Sequence, residues 1–263
     1  MEKYNVKFKK RLGQNFLKNK AIVDKIATIN TDTSNSLVIE VGPGGGILTK
    51  ELANNYKNVL AYEIDDSLKD ELNKRISSFS NVDIIYKDFL KVDISEDIKK
   101  YNYDKLYFIS NVPYYITSPI ILKLIDSNIY FNKIVMMVQK EVGNRFSSSP
   151  GNKTYGAISV ILQYFFDIKK EFIVSRVNFI PEPKVDSVIL SFTPKANKEE
   201  VDINKFIKLV NDSFKYKRKT IKNNLKDYDL DIIEKVLNKY NFDLNVRAEA
   251  LDLEIFIDIC NSL

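Results

Sequence analysis

The sequence has 263 residues, of which 44% are hydrophobic and 29% are charged, and its formal net charge is +5. This composition is that of an ordinary globular protein with room for one large domain and one small one. The chain has no histidine, one cysteine (Cys260), no long apolar run and no apolar segment near its basic N-terminus. A membrane span, a signal peptide, an intramolecular disulfide and a cysteine–histidine metal cluster are therefore not expected, and a cytoplasmic protein without a metal is predicted.

A strand–helix alternation begins near residue 37 and continues for about a hundred residues. The predicted strands are LVIEV (37–41), NVLAYEID (58–65), VDIIYKD (82–88), KLYFIS (105–110) and KIVMMV (133–138). Such an alternation predicts a mostly parallel sheet with helices on both faces. Ligands of such sheets bind beyond the carboxyl ends of the strands, so those ends are the places to search for a site.

The strand–helix alternation ends near residue 170. FIVSRVNF (172–179) and DSVILSF (186–192) alternate apolar and polar residues and are joined by a short proline-bearing link, which predicts an antiparallel pair at the sheet edge. The polar segment 193–200 is typical of a linker, and the remainder has helical periodicity. We therefore expect a sheet domain over residues 1–195 and a small all-helical domain over residues 196–263.

The first strand runs into the glycine-rich segment EVGPGGGILT (40–49). Glycine lets the backbone turn sharply and lets a ligand approach main-chain atoms closely. A dinucleotide-binding fingerprint would need glycine at position 47, which is Ile47, so the G-x-G-x-G spacing from Gly42 disfavours a dehydrogenase. A tight turn without a ligand remains the alternative for this segment.

Acidic residues follow the next two strands. Glu63, at the end of the second strand, suits the two hydroxyls of a ribose, although it would serve a dehydrogenase equally or stand beside a helix N-terminus. Asp88 and Phe89 end the third strand and offer an adenine one hydrogen-bond acceptor and one ring face. The glycines, Glu63 and Asp88 together predict an adenosine site.

The fourth strand ends in Asn111-Val112-Pro113-Tyr114. Two oxygen acceptors near the exocyclic amine of an adenine would favour its nucleophilic form, and we assign them to the Asn111 amide and the Pro113 carbonyl, whose direction proline helps to fix. Tyr114 would stack on a base flipped out of a nucleic acid, with Phe179 on the opposite face. Core packing is the alternative for both rings.

These segments resemble the ribosomal RNA adenine dimethyltransferase family over nearly the full length of the chain. The motifs are KKRLGQNFL (9–17), EVGPGGGILT (40–49), DFL (88–90), NVPYYITSPI (111–120), YGAISVILQYF (155–165), FIPEPKVDS (179–187), KRKTIKNNL (217–225) and RAEALDLEIF (247–256). The resemblance implies an α/β, Rossmann-like methyltransferase fold with a mostly parallel seven-stranded sheet, an antiparallel edge pair and a small all-α C-terminal domain. It also implies S-adenosylmethionine as cofactor and S-adenosylhomocysteine as product. The expected cofactor-binding residues are Asn15, Leu17, Gly42, Gly44, Glu63, Ile64, Asp88, Phe89 and Asn111.

Two branches of this family differ in substrate. One dimethylates two adjacent adenosines in a hairpin loop near the 3′ end of small-subunit rRNA during ribosome assembly, and the other methylates large-subunit rRNA and confers macrolide resistance. RLGQNFL, PKVDS and KRKTIKNNL resemble the first branch, while Val112 departs from the usual leucine or isoleucine. A non-catalytic rRNA-binding assembly factor remains an alternative.

Basic residues are concentrated near the N-terminus and between Lys205 and Lys226, where Asp212 is the one acid. Such clusters indicate nucleic-acid binding, although a solvated helix face gives the same pattern. The expected RNA-binding residues are Lys9, Lys10, Arg11, Lys184, Lys217, Arg218, Lys219 and Lys222. The expected partners are small-subunit rRNA and the pre-30S particle, bound by a monomer.

Overall fold

The computed structural model describes residues 15–263, and the chain divides into two compact units. The first unit takes in the chain up to Gly143 together with Lys169–Pro194, and the second consists of Asn144–Ile168 and Lys195–Leu263. The units change between Pro194 and Lys195, one residue before the predicted domain boundary, and residues 144–168, predicted in the sheet domain, are grouped with the second unit.

The physical reason for this difference is the packing of an apolar helix. Tyr155, Val160 and Tyr164 are buried in one cluster with residues of the C-terminal helices such as Phe206 and Phe256. The apolar pattern of residues 155–165 predicts a buried helix but does not say which core buries it.

The first unit is built on a seven-stranded sheet. Its strands are β2 (Ser36–Val41), β3 (Asn58–Tyr62), β4 (Val82–Ile85), β5 (Lys105–Asn111), β6 (Lys133–Gln139), β7 (Phe166–Val174) and β9 (Ser187–Pro194), in the spatial order β4-β3-β2-β5-β6-β9-β7. The pairs among β2 to β6 are parallel, and β9 is antiparallel to β6. The mostly parallel sheet with an antiparallel edge is therefore confirmed.

The central strands are apolar because helices cover both faces of the sheet. Leu37, Val38 and Ile39 of β2 have no exposed surface, and the register pairs Ile39 with Phe108 of β5 and Val41 with Tyr62 of β3. The carboxyl ends of these strands consequently lie side by side, and the residues that follow each strand meet at one edge.

The helices of this part of the chain follow the strands in alternation. They are α1 (Lys20–Ala27), α2 (Ile47–Asn55), α3 (Lys69–Ile76), α4 (Ile94–Ile98), α5 (Thr117–Asp126) and α6 (Lys140–Phe146). The start of α2 is set by Gly46, whose positive φ of 76° ends the glycine-rich turn and directs the chain into the helix.

The predicted edge strand 172–179 differs from the observed one. β7 covers Phe166–Val174, residues 176–178 form a 3₁₀ turn, and Phe179 leaves the sheet. It belongs to β8 (Phe179–Ile180), which pairs antiparallel with β1 (Phe16–Leu17) in a separate two-stranded ribbon. Alternation of apolar and polar residues continues through the turn, so the pattern alone does not show where the strand ends.

The second unit is helical, with α7 (Ala157–Phe165), α8 (Ile203–Ser213), α9 (Ile221–Asn224), α10 (Leu230–Lys239) and α11 (Leu253–Ser262). Asp202, Asp229 and Asp252 accept hydrogen bonds from the first free backbone N–H groups of α8, α10 and α11, which stabilises these helix starts. Across residues 15–263 no helix has both the length and the apolar character needed to cross a bilayer.

Candidate active site

A cavity of about 330 Å³ lies at the carboxyl ends of the parallel strands, which is the size range of small-molecule and cofactor sites. It brings together eleven of the residues predicted from the sequence. These are Asn15, Leu17, Gly42, Gly44, Glu63, Ile64, Asp88, Phe89, Asn111, Pro113 and Tyr114.

The glycine-rich turn forms one wall of this cavity. Gly42 and Gly44 have φ values of 71° and 57°, in the left-handed region that side-chain-bearing residues rarely adopt. A Cβ atom on Gly44 would lie 2.5 Å from Cε1 of Phe16, so the ring of Phe16 packs directly on the backbone of the turn. The absence of a side chain at position 44 therefore allows β1 to lie against the turn.

Glu63 is almost completely buried and is held in place by the backbone. Its Oε2 atom accepts a hydrogen bond of 3.0 Å from the Gly44 N–H, and its Oε1 atom accepts one of 2.8 Å from the Asp65 N–H. Each carboxylate oxygen retains a further lone pair for a hydroxyl donor. Burial raises the pKa of Glu63, and the two backbone N–H groups oppose that rise.

Glu40 is a second buried acid in the same cavity, and the sequence reasoning did not single it out. It is 1% exposed, and its Oε2 atom has no hydrogen-bond partner among the described residues. Burial raises the pKa of Glu40 to about 8, and the nearby charge of Glu63 adds to this effect. The signal available in the sequence is its position, because Glu40 is the one charged residue of β2 and lies two positions before Gly42.

Asp88 and Phe89 form the far wall. Asp88 Oδ1 accepts a 3.0 Å hydrogen bond from the Leu90 N–H, which fixes the side chain at the start of a 3₁₀ turn. Phe89 is 4% exposed and meets the rings of Tyr62 and Phe108 at centroid distances of 5.2 and 6.1 Å. The Phe89 ring is therefore held in place by its neighbours in the core, and it also lines the cavity.

The Asn111 amide is oriented by Asn15, the residue before β1. Its Nδ2 group donates a 3.2 Å hydrogen bond to the Asn15 carbonyl, so the Oδ1 atom is the end of the amide left to accept hydrogen bonds. The Pro113 carbonyl accepts a 3.1 Å hydrogen bond from the Ile116 N–H, so one of its two lone pairs closes the turn. Val112, which also lines the cavity, brings a second main-chain carbonyl to the end of β5.

Tyr114 is half-buried at the cavity wall. Its hydroxyl lies 2.7 Å from Oγ of Ser187, a fully buried residue of β9, which holds the ring in one place. Burial raises the pKa of the Tyr114 hydroxyl, so it is protonated at neutral pH. The neighbouring Tyr115 was not predicted to contribute, yet it lines the cavity with 56% of its surface exposed.

The structure does not bring Phe179 to the cavity. Phe179 is 1% exposed, pairs with Leu17 in the β1–β8 ribbon and packs in the main hydrophobic core of the first unit. In this structure Phe179 packs in the core, as in the alternative stated for it, and its role as the second ring against the flipped base stays a prediction. The exposed aromatic ring nearest to Tyr114 in the sequence is Tyr115.

Among residues 15–263, none of the predicted RNA-binding residues lines the cavity. Lys9, Lys10 and Arg11 are outside the described residues. Lys184 is an exposed residue of the first unit, and Lys222 is exposed on α9 of the second. Lys217, Arg218 and Lys219 belong to an exposed segment between α8 and α9, residues 215–219 (KYKRK), which we call the basic loop.

The residues of the cavity fit an S-adenosyl cofactor. Glu63 keeps lone pairs for ribose hydroxyls, and Asp88 offers a carboxylate oxygen beside the Phe89 ring. The Oε2 atom of Glu40, which has no hydrogen-bond partner among the described residues, suits a cationic amine. In the glycine-rich turn, the N–H groups of Gly42, Gly44 and Gly46 donate to Tyr62, Glu63 and Pro43, so these three are not free to bind a pyrophosphate.

The chain matches the family model "Ribosomal RNA adenine dimethylase" over residues 5–263. A Streptococcus gordonii protein named ribosomal RNA small subunit methyltransferase A is 41% identical over 100% of this chain and 94% of its own length. The protein of the same name from Aster yellows witches'-broom phytoplasma is 45% identical over 94% and 93%.

Solved structures agree with this assignment. A dimethyladenosine transferase from Plasmodium falciparum has a TM-score of 0.75 at 28% identity, covering 92% of this chain and 95% of that one. The 23S rRNA methyltransferase ErmE has the same fold, with a TM-score of 0.73 at 24% identity over 94% and 99%. The chain therefore belongs to the ribosomal RNA adenine dimethylase family and is an S-adenosylmethionine-dependent methyltransferase with a Rossmann-like fold.

Proposed function

We propose that the protein transfers methyl groups to the exocyclic amine of two adjacent adenosines in the 3′-terminal hairpin loop of small-subunit rRNA, giving N6-dimethyladenosines. The observation that carries this proposal is the Asn111–Tyr114 turn, which opens into the same cavity as the acids suited to an adenosyl group. The names of the full-length relatives support rRNA of the small subunit as the substrate.

When bound, S-adenosylmethionine supplies an electrophilic methyl group on its sulfonium sulfur. The task left to the protein is to make the adenine amine a better nucleophile and to hold it in line. Asn111 Oδ1 accepts one N–H of the amine, and a carbonyl of the turn, from Val112 or Pro113, accepts the other. Hydrogen bonds to developing positive charge contribute about 1.5–3 kcal/mol each.

Tyr114 holds the flipped base by stacking. Because its hydroxyl contacts Ser187, the ring is fixed before RNA arrives, and little side-chain entropy is lost on binding. Base–aromatic stacking contributes about 1–3 kcal/mol, which offsets part of the cost of removing the base from its own stack. Tyr115 offers further aromatic surface at the cavity mouth.

The same acceptors explain a reaction that stops after two methyl groups. The unmodified amine has two N–H donors, the monomethylated amine has one, and the dimethylated amine has none. Each transfer therefore removes one hydrogen bond to Asn111 Oδ1 or to the turn carbonyl, so the product is held less tightly than the substrate. Loss of these contacts favours release of the finished base.

The RNA is proposed to be held by exposed cations of both units, with Lys184 in the first and the basic loop and Lys222 in the second. Contacts of such side chains with phosphates supply sequence-independent affinity. We further propose that the partner is the pre-30S particle in the cytoplasm and that a monomer binds it. Lys9, Lys10 and Arg11 remain proposed RNA-binding residues from the sequence alone.

A non-catalytic assembly factor is disfavoured, because the catalytic turn is intact and its amide is oriented by Asn15. A large-subunit enzyme is disfavoured by the names of the relatives at about 40% identity. The deciding experiment incubates the protein with S-adenosylmethionine and ribosomal subunits from a bacterial strain that lacks these dimethyladenosines. Mass spectrometry of RNA fragments is expected to find two adjacent dimethyladenosines in small subunits only.

Asn111→Ala serves as the inactive control in this experiment, with its folding checked by thermal unfolding. Methylation of large subunits instead would support the resistance-type alternative. Binding of small subunits without any methyl transfer would support the assembly-factor alternative.

A further inference from the structure

The basic loop contains an aromatic residue that packing does not explain. Tyr216 is 58% exposed, and all four of its neighbours in the loop, Lys215, Lys217, Arg218 and Lys219, are exposed as well. Other tyrosines of this unit, such as Tyr155 and Tyr164, are buried in its core. The Tyr216 side chain is therefore exposed to solvent in a loop whose other four residues are positively charged.

One side chain fixes the backbone of this exposed tyrosine. Oδ1 of Asn224, on α9, accepts a 3.2 Å hydrogen bond from the Tyr216 N–H, and its Nδ2 group donates to the Tyr216 carbonyl at 3.3 Å and to the Ser213 carbonyl at 2.7 Å. The Lys219 N–H adds a 2.8 Å hydrogen bond to the same Tyr216 carbonyl. These hydrogen bonds hold both backbone groups of Tyr216, so the exposed loop is ordered before any ligand binds.

The surrounding contacts leave the ring accessible. The Lys215 ammonium lies 5.7 Å from the centroid of the Tyr216 ring, and the Lys217 ammonium is drawn to the Lys153 carbonyl at 3.0 Å. A tyrosine face next to several cations suits an unpaired nucleotide, because the ring stacks on the base while the cations meet the phosphates. An acidic protein surface would satisfy the cations but would leave the ring face without a planar partner.

We propose that Tyr216 stacks on an unpaired base of the RNA bound by the basic loop, and that Asn224 is the residue that positions it. This inference rests on the proposed function and adds a second aromatic contact with RNA, separate from the base that is methylated. Ordering the loop before binding lowers the conformational entropy lost when RNA arrives, so Asn224 contributes to affinity without touching the RNA.

The test measures binding to small subunits lacking the dimethyladenosines over a series of KCl concentrations. Tyr216→Ala is expected to weaken binding by about 5- to 150-fold while the slope of log affinity against log salt stays unchanged, because no phosphate contact is lost. Tyr216→Phe, the matched control, keeps the ring and is expected to bind like the unaltered protein. Arg218→Glu is expected to reduce the slope by nearly one unit.

The role of Asn224 is tested by a double-mutant cycle. Asn224→Ala alone is expected to weaken binding with an unchanged salt slope, and to cause little further loss when Tyr216 is already alanine. Additive losses would mean that Asn224 acts independently of the Tyr216 ring and would overturn its positioning role. Thermal unfolding and cofactor affinity of each variant, which report on the fold and on the first unit, are expected to match those of the unaltered protein.

Two results would overturn the stacking role itself. One is that Tyr216→Ala binds small subunits with unchanged affinity. The other is that Tyr216→Ala reduces the salt slope, because the ring would then act by positioning the cationic side chains of the basic loop. If the unaltered protein does not bind small subunits, the proposed function fails, and this inference fails with it.

Discussion

Replacing Tyr114 by phenylalanine or by alanine separates the contribution of its ring from that of its hydroxyl. Alanine removes the face on which the flipped base is proposed to stack, at a cost of about 1–3 kcal/mol, so methyl transfer is expected to slow by about 5- to 150-fold. Phenylalanine keeps the ring and loses the 2.7 Å contact between the Tyr114 hydroxyl and Ser187 Oγ. A buried hydrogen bond of this kind contributes about 0.5–1.5 kcal/mol, so the loss is expected to be about 2- to 12-fold.

Ser187→Ala is the matched variant, because it removes the same hydrogen bond from the other side and leaves the tyrosine whole. The assay is single-turnover methyl transfer to small subunits lacking the modification, with cofactor affinity measured by calorimetry in parallel. All three variants are expected to bind cofactor normally, and Ser187→Ala is expected to resemble Tyr114→Phe. A Tyr114→Phe variant as slow as Tyr114→Ala would refute the stacking role, because the hydroxyl would then be the group that matters.

Glu63→Ala is expected to weaken S-adenosylmethionine binding by about 10- to 150-fold, because the ribose loses a charged acceptor; unchanged affinity in calorimetry would remove Glu63 from the site. Gly44→Ala is expected to lower cofactor affinity and the melting temperature, since its Cβ would lie 2.5 Å from the Phe16 ring. Gly151→Ala is the matched control, because it has a similar positive φ but nothing within 4 Å, and equal effects of the two changes would mean that backbone strain alone is responsible. The free energy of unfolding is expected to fall between about pH 4.5 and pH 8, because folded Glu40, with its pKa near 8, keeps a proton that the unfolded chain releases. Glu40→Gln should flatten this decline in urea unfolding experiments, and parallel pH profiles would contradict the assignment.

Much of the site could be predicted because its residues follow predictable strands. Each parallel strand ends where its apolar run ends, and parallel register brings those ends to one edge, so the sequence alone predicts that Glu63, Asp88 and Asn111 lie close together. What the sequence could not supply was the burial of individual groups. The rise in the pKa of Glu40 depends on helices and strands packed around it, and no local pattern marks that environment.

The structure differs from the sequence-based expectations at residues that have two plausible environments. Phe179 belongs to a short segment whose alternation suits an edge strand, but it instead pairs with Leu17, a partner more than 160 residues away in the chain. Residues 155–165 pack with the second unit rather than with the sheet for a similar reason, since an apolar helix can be buried by any core that faces it. Long-range pairing of this kind depends on tertiary contacts, and these outweigh local propensity.

The short β1 strand and the residue before it link parts of the cavity that perform different tasks. The Asn15 carbonyl holds the catalytic amide, Phe16 packs on the glycine-rich turn, and Leu17 pairs with β8. A change that shifts this segment is expected to alter both cofactor affinity and the orientation of Asn111. A substitution there is therefore expected to change KM for the cofactor and kcat together. Because the same three consecutive residues contact the turn and the Asn111 amide, we expect binding of the methyl donor to be coupled to the orientation of that amide.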